Sequence, residues 1–232
     1  MLAPQSALRF AGVAALVLCS GAAHAQAGGS IVVESDYRFR GVSLSGGDPT
    51  AHLALSYDHP AGWYAGASLT SVELVPGPRR AAGTAYAGYA RRNRFGEAWE
   101  LGATLTRFEG ASNYDYEEVF AGYVAERWTA RVYLSPDYFG HGVRTLYAEL
   151  NGNLPLTPQL RTFAHLGALT RLQGATAPGL AQTRYDARVG LGLRIAEADL
   201  RLAWVGASER VPYVATYQQR RSTWVLSASY DF

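Results

Sequence analysis

The chain has 232 residues, a formal net charge of +2 and 17% charged against 48% hydrophobic residues. All 21 basic residues are arginine, against 19 acids, which excludes a strongly basic nucleic-acid binder and a charged disordered tail. No apolar run beyond the first 25 residues is long enough for a membrane helix, so a membrane role requires a barrel.

The N-terminus reads as a secretory signal peptide over residues 1–25. Arg9 precedes the apolar stretch Phe10 to Cys19, and Ala23-His24-Ala25 offers a small-x-small cleavage site, with a second option after Ala27. Cys19 falls in this segment, and the large Leu18 before it argues against a lipoprotein site. The barrel then occupies 28–232 without a cysteine, hence with no disulfide and no thiolate chemistry.

Beyond the leader, period-two alternation recurs and period 3.6 does not. Twelve strands are expected near 30–40, 50–57, 63–72, 81–90, 98–107, 115–124, 127–134, 144–151, 160–170, 183–195, 198–206 and 222–232. The cleanest sets Tyr185, Ala187, Val189, Leu191, Leu193 and Ile195 against Arg184, Asp186, Arg188, Gly190, Gly192 and Arg194. The fourth and sixth are the least regular, because Tyr86 and Tyr89, like Phe120 and Tyr123, fall on opposite faces. Odd-numbered connections are mostly long and even-numbered ones short, as in an up-and-down membrane barrel with short periplasmic turns and longer outer loops.

Alternation alone does not say which face is inside. Gly, Ser, Thr and Arg share the polar faces and suit a crowded lumen. Trp63, Trp99, Trp128 and Trp224 sit near strand ends, where indole rings favour the headgroup level. The chain stops at Phe232, with Tyr230, Leu226 and Trp224 on the same face. That pattern resembles the C-terminal signal read by the barrel assembly machinery. The expected fold is all-β, an antiparallel up-and-down transmembrane β-barrel of about 12 strands in the outer membrane of a Gram-negative bacterium.

The run Glu34-Ser35-Asp36-Tyr37-Arg38-Phe39-Arg40-Gly41-Val42-Ser43-Leu44-Ser45 resembles the opening of the TorF-family porins, also labelled Gcw_chp proteins. Gly62-Trp63-Tyr64-Ala65-Gly66 after Tyr57-Asp58-His59 is similar, as is Asn113-Tyr114-Asp115-Tyr116 leading to Phe120-Ala121-Gly122-Tyr123. The resemblance implies an outer-membrane barrel with a role in transport.

On the first expected strand Glu34, Asp36, Arg38 and Arg40 share a face and point to the lumen, with Asp231 of the last strand as a neighbour across the closure. Further lumen or constriction candidates are Arg131, Arg184, Asp186, Arg188, Arg194 and Arg201, together with Arg144, Arg161, Glu100, Glu149 and Asp199. They read either as a charged constriction selecting solutes or as ion pairs filling a narrow barrel. Arginine outnumbers acid, so a conducting pore leans toward anions. An enzyme would need Ser or an acid in reach of a histidine. His52 and His165 point inward, His59 and His141 lie in turns, and no Gly-x-Ser-x-Gly elbow occurs. No metal-ligand spacing occurs either. The expectation is a channel for passive diffusion of small hydrophilic solutes, not an enzyme, with no cofactor. A non-conducting structural barrel or a lipid or peptide hydrolase is the alternative. Expected partners are outer-membrane lipids and lipopolysaccharide, the barrel assembly machinery and small solutes, with no nucleic acid.

Overall fold

In the computed structural model, which describes residues 26–74, 77–174, 181–208 and 221–232, nearly every described segment is strand. The strands are β1 (Gln26–Glu34), β2 (Arg38–Phe39), β3 (Val42–Ser43), β4 (Thr50–Asp58), β5 (Trp63–Val72), β6 (Arg80–Arg92) and β7 (Ala98–Phe108). They continue as β8 (Tyr116–Val124), β9 (Trp128–Ser135), β10 (Arg144–Pro155), β11 (Leu160–Gln173), β12 (Thr183–Ile195), β13 (Ala198–Ala207) and β14 (Ser222–Asp231). β1 and β4–β14 form one closed antiparallel barrel of twelve strands, each paired with its sequence neighbour, and β2–β3 form a separate two-stranded hairpin. Closure pairs β1 with β14, Ser30 opposite Asp231 through Glu34 opposite Ser227, so the barrel sheet has no free edge.

The outer surface explains the alternation. Ile31, Leu53, Leu55, Leu101, Leu105, Leu166, Val189, Leu191 and Leu202 all point away from the lumen and stand exposed. A belt of this kind has lipid as its solvent. Aromatic rings border it. Trp63 packs on Tyr89 with centroids 5.0 Å apart, and Tyr123 lies 4.8 Å from Trp99 and 5.3 Å from Trp128. These rings ring the end where the turns are short: 59–62, 93–97, 125–127, 156–159 and 196–197. Tyr86 and Phe120 face inward while Tyr89 and Tyr123 join this girdle, which is why β6 and β8 look irregular in sequence. Trp224, Leu226, Tyr230 and Phe232 are exposed on the same outer face. The Phe232 backbone pairs with Gly29, and its ring covers the space a Gly29 Cβ would need.

The first expected strand requires correction. β1 ends at Glu34, and residues 35–49 leave the wall and turn into the lumen as the β2–β3 hairpin. Arg40 (φ 49°) and Gly41 (φ 76°) are the two central residues of its turn, the left-handed pair that a tight hairpin requires. Gly41 is needed on a second count, since a Cβ there would lie 2.6 Å from that of Ala207 and 2.9 Å from that of Asp186. The expected leader, residues 1–25, lies outside the described residues, as do parts of the long connections at 75–76, 175–180 and 209–220.

Candidate functional site

The lumen divides into two zones. In the long-loop half the hairpin is held by its own polar residues. Asp36 accepts from Arg38 Nε (2.7 Å), Ser43 Oγ (2.5 Å) and Ser45 Oγ (3.3 Å), and Arg38 Nη1 donates to the Gly41 carbonyl (3.1 Å). Asp36 and Arg38 are both buried, and the pair leaves neither charge unmatched. Arg40 reaches the opposite wall and makes a two-pronged ion pair with Glu118 of β8, at 2.9 and 2.8 Å. Its guanidinium also lies over the rings of Tyr147 (4.0 Å), Phe39 (4.8 Å), Tyr133 (5.2 Å) and Tyr138 (5.4 Å).

Above this pair the lumen is apolar. Leu44, Val72, Ala82, Phe108, Tyr116, Tyr138, Phe139, Tyr147 and Leu169 form a buried cluster, with Phe139 stacked on Tyr116 at 4.5 Å. Hairpin, connection 136–143 and strand side chains thus meet in one cap. Two histidine networks brace the walls beneath it. His52 bonds to both Glu34 and Thr70 and meets Tyr37 edge-on at 4.5 Å. His165 lies 2.8 Å from Asp186, 3.0 Å from the Tyr147 hydroxyl and 2.7 Å from Asn151.

Toward the short turns the lumen opens into a cavity of about 880 Å³, bounded by the hairpin above and by Thr157–Leu160 at the mouth. Ser68, Thr70, Thr84, Thr104 and Thr106 of β5–β7 line one wall with hydroxyls. Arg161, Arg188, Arg194 and Arg201 of β11–β13 line the wall across from it. Arg161 Nη2 and Arg201 Nη2 (2.7 Å) both bond to Oδ2 of buried Asp199. Gly192 makes this possible: Arg161 lies flat across it, where a Cβ would meet the guanidinium carbon at 2.8 Å.

Glu34, Asp36, Arg38 and Arg40 do share the lumen, but as a strand end and a hairpin rather than one strand row. Their partners are His52 and Glu118, not β14, and Asp231 lies beside Ser30 in the middle of β1, four residues from Glu34. Arg131 pairs with Glu100 (2.5 Å), which also accepts from the Tyr64 hydroxyl (2.9 Å). Arg184 is buried near the long-loop end, and its Nε has no hydrogen-bond partner among the described residues. Arg188 donates at 3.5 Å to the Arg38 carbonyl, while Arg194 and Arg201 stand at the mouth. Arg144 is exposed at the long-loop rim and is not among the cavity residues, so its expected lumen place is corrected. Glu118 was missed. It alternates inward with Tyr116 and Phe120, a signal hidden by the aromatic residues on both faces of β8. No group of three or more His, Cys, Asp or Glu among the described residues is placed to hold a metal ion.

The sequence model of the Gcw_chp family, described as a bacterial protein of unknown function, matches residues 20–231. No curated protein matches in sequence. Among solved structures the fold is similar to the KdgM porin, with a TM-score of 0.57 at 11% identity over 88% of this chain and 99% of that one. The KdgM porin in complex with disordered oligogalacturonate is similar at a TM-score of 0.56 and 11% identity, over 89% and 99% of the two chains. At such identities the likeness speaks for the fold alone, a closed antiparallel barrel. With the match spanning almost the whole barrel, the chain belongs to the Gcw_chp family.

Proposed function

We propose that the protein is a porin-like channel of the Gram-negative outer membrane, one of the TorF-type members of its family. It passes small hydrophilic solutes passively through a narrow arginine-rich lumen with a weak preference for anions. The observation that carries this reading is the water-accessible cavity below the hairpin, whose arginines outnumber the acids on its walls. A porin of the same fold forms a complex with oligogalacturonate, which supports solute handling by such barrels. In this reading residues 1–25 are the cleaved leader and the short turns face the periplasm. The exposed face of Trp224, Leu226, Tyr230 and Phe232 serves the assembly machinery, and outer-leaflet lipopolysaccharide surrounds the long-loop half.

A second reading, a non-conducting structural barrel, is favoured by one observation: the hairpin and its aromatic cap fill the long-loop half. Single-channel recording of the refolded mature protein separates the two. Stepwise currents with an anion-selective reversal potential, altered in size in an Arg38→Ala, Arg40→Ala double variant, support the channel. A folded, heat-modifiable barrel that stays silent in both forms establishes the structural reading, and a cation-selective reversal potential overturns the anion preference.

A further inference from the structure

We propose that Arg161, Arg194 and Arg201 form a binding site for solutes carrying two or more negative charges, such as di- and tricarboxylates or phosphate esters. The site sits at the short-turn mouth of the lumen. The inference rests on the reading that this mouth admits solute, and it adds a chemical class and a place.

Charge and geometry agree. Arg161 and Arg201 occupy one transverse row on either side of Gly192, and Arg194 faces Asp199 directly across the β12–β13 ladder. Three guanidinium-bearing residues therefore surround a single carboxylate, which bonds to two of them, Arg161 and Arg201. Arg161 and Arg201 converge on the same oxygen of Asp199, which is almost wholly buried between them and whose single negative charge offsets only one of the two cations. Arg201 keeps 47% of its side chain exposed although it is bonded to Asp199. The Arg194 side chain makes no hydrogen bond or ion pair with another described residue, yet it lines the cavity. A structural ion-pair filling would match charges one to one, as Arg40 does with Glu118 and Arg131 does with Glu100. Here positive charge exceeds negative and its surplus donors point into water.

The surroundings select against a single small anion. Arg188 lies further up β12, about 20 Å from Arg194 at ~3.4 Å per residue, and its guanidinium also lines the cavity without an acid partner among the described residues. The β5–β7 residues that line the cavity across from these arginines carry hydroxyls that can bond an anion, and the two acids of the lining lie elsewhere, Glu118 on β8, paired with Arg40, and Glu149 on β10. A ligand with one charge meets one guanidinium and loses it to screening by salt. A ligand with several charges bridges neighbouring guanidinium groups and gains from each.

Isothermal titration of the refolded mature barrel in nonionic detergent at low salt tests this, with citrate as the multivalent probe and acetate as the monovalent control. Saturable citrate binding at least tenfold tighter than acetate binding is expected. It should weaken at least tenfold in an Arg194→Gln, Arg201→Gln variant and tighten in Asp199→Asn, which removes the one competing negative charge. If the arginines are only a structural cluster, citrate binds no better than acetate, or the glutamine variant is unchanged, or Asp199→Asn weakens binding. Any of these overturns the proposal. Should Asp199→Asn not refold, Arg194→Gln and Arg194→Glu carry the test alone, since no described side chain depends on Arg194. Bilayer recordings on the same preparations keep the two readings apart. Anion-selective currents without citrate binding reject this site and leave the channel. Citrate binding to a silent barrel rejects the open channel and leaves the site.

Discussion

The two halves of the lumen use the same residue types to opposite ends. In the long-loop half each arginine that reaches inward from the hairpin meets its own carboxylate, Arg38 with Asp36 and Arg40 with Glu118, both pairs are buried, and aromatic rings close over Arg40. In the short-turn half Arg161 and Arg201 share Asp199, Arg194 bonds to no described side chain, and water reaches all three. Paired and buried charge fixes a plug in place. Unpaired and hydrated charge leaves a surface ready for solute. The boundary between the halves is the hairpin, and its turn residue Arg40 belongs to both: its ion pair faces the cap and its neighbours roof the cavity.

The largest expected effect comes from breaking that boundary. Arg40→Met strands Glu118 as a buried, uncompensated carboxylate, at a cost of about 3–5 kcal/mol to hairpin docking. Single-channel conductance should then rise as the hairpin leaves the lumen. Adding Glu118→Gln should return both conductance and thermal stability most of the way to the parent, as a double-mutant cycle on refolded protein will read. Conductance unchanged in Arg40→Met means that the hairpin is not what narrows the lumen.

Aromatic truncation sharpens the contrast. Phe139→Ala, in the buried cap, should cost about 3–5 kcal/mol, whereas Phe163→Ala, beside the open cavity, should cost no more than about 2 kcal/mol because part of its ring already meets water. Denaturant unfolding in detergent micelles compares the two, and equal losses would mean that the halves are packed alike.

Backbone strain gives a smaller test. Gly41→Ala meets both a left-handed φ and two close Cβ neighbours, while Gly47→Ala (φ 90°) meets the strain alone, with open space around it. The second should cost about 1–2 kcal/mol and the first clearly more, with hydrogen exchange at the hairpin amides as the readout.

The smallest effect is a pH response confined to connection 136–143. Burial against Tyr114 holds the His141 imidazole below its ordinary value, and Asp137 offsets only part of that shift. The unfolded connection therefore binds a proton more readily than the folded one. The folded connection keeps its full stability above about pH 6.5 and loses it progressively as pH falls from there, through the depressed folded value. Amide exchange across this connection should speed up between neutral and mildly acidic pH, and His141→Phe should abolish the change.

The wall of the barrel was legible in the sequence because its physics is local. A strand with lipid on one side and a filled lumen on the other must alternate, and β4, β5, β12 and β14 do so almost residue by residue. The hairpin was not legible, because Glu34, Asp36, Arg38 and Arg40 alternate as regularly as a wall strand. The signal that separates them is the Arg40-Gly41 pair between Tyr37-Arg38-Phe39 and Val42-Ser43-Leu44, a two-residue turn flanked by short extended runs. The pairing of lumen charges could not be read locally at all. Arg40 finds Glu118 across the barrel, and Arg161 finds Asp199 by lying over Gly192, both set by closure and register rather than by neighbours in sequence.

Sided labelling of the lumen tests the central contrast most directly. With Cys19 replaced by Ser, Thr104→Cys places one thiol on the hydroxyl wall of the cavity, below the cap. A membrane-impermeant thiol reagent added to intact cells should leave it unmodified. The same reagent should modify it once the periplasm is opened, and an anionic sulfonate reagent should react faster than a cationic one. Equal labelling in intact and opened cells would contradict a lumen closed at its long-loop end and open, with an excess of positive charge, at its short-turn end.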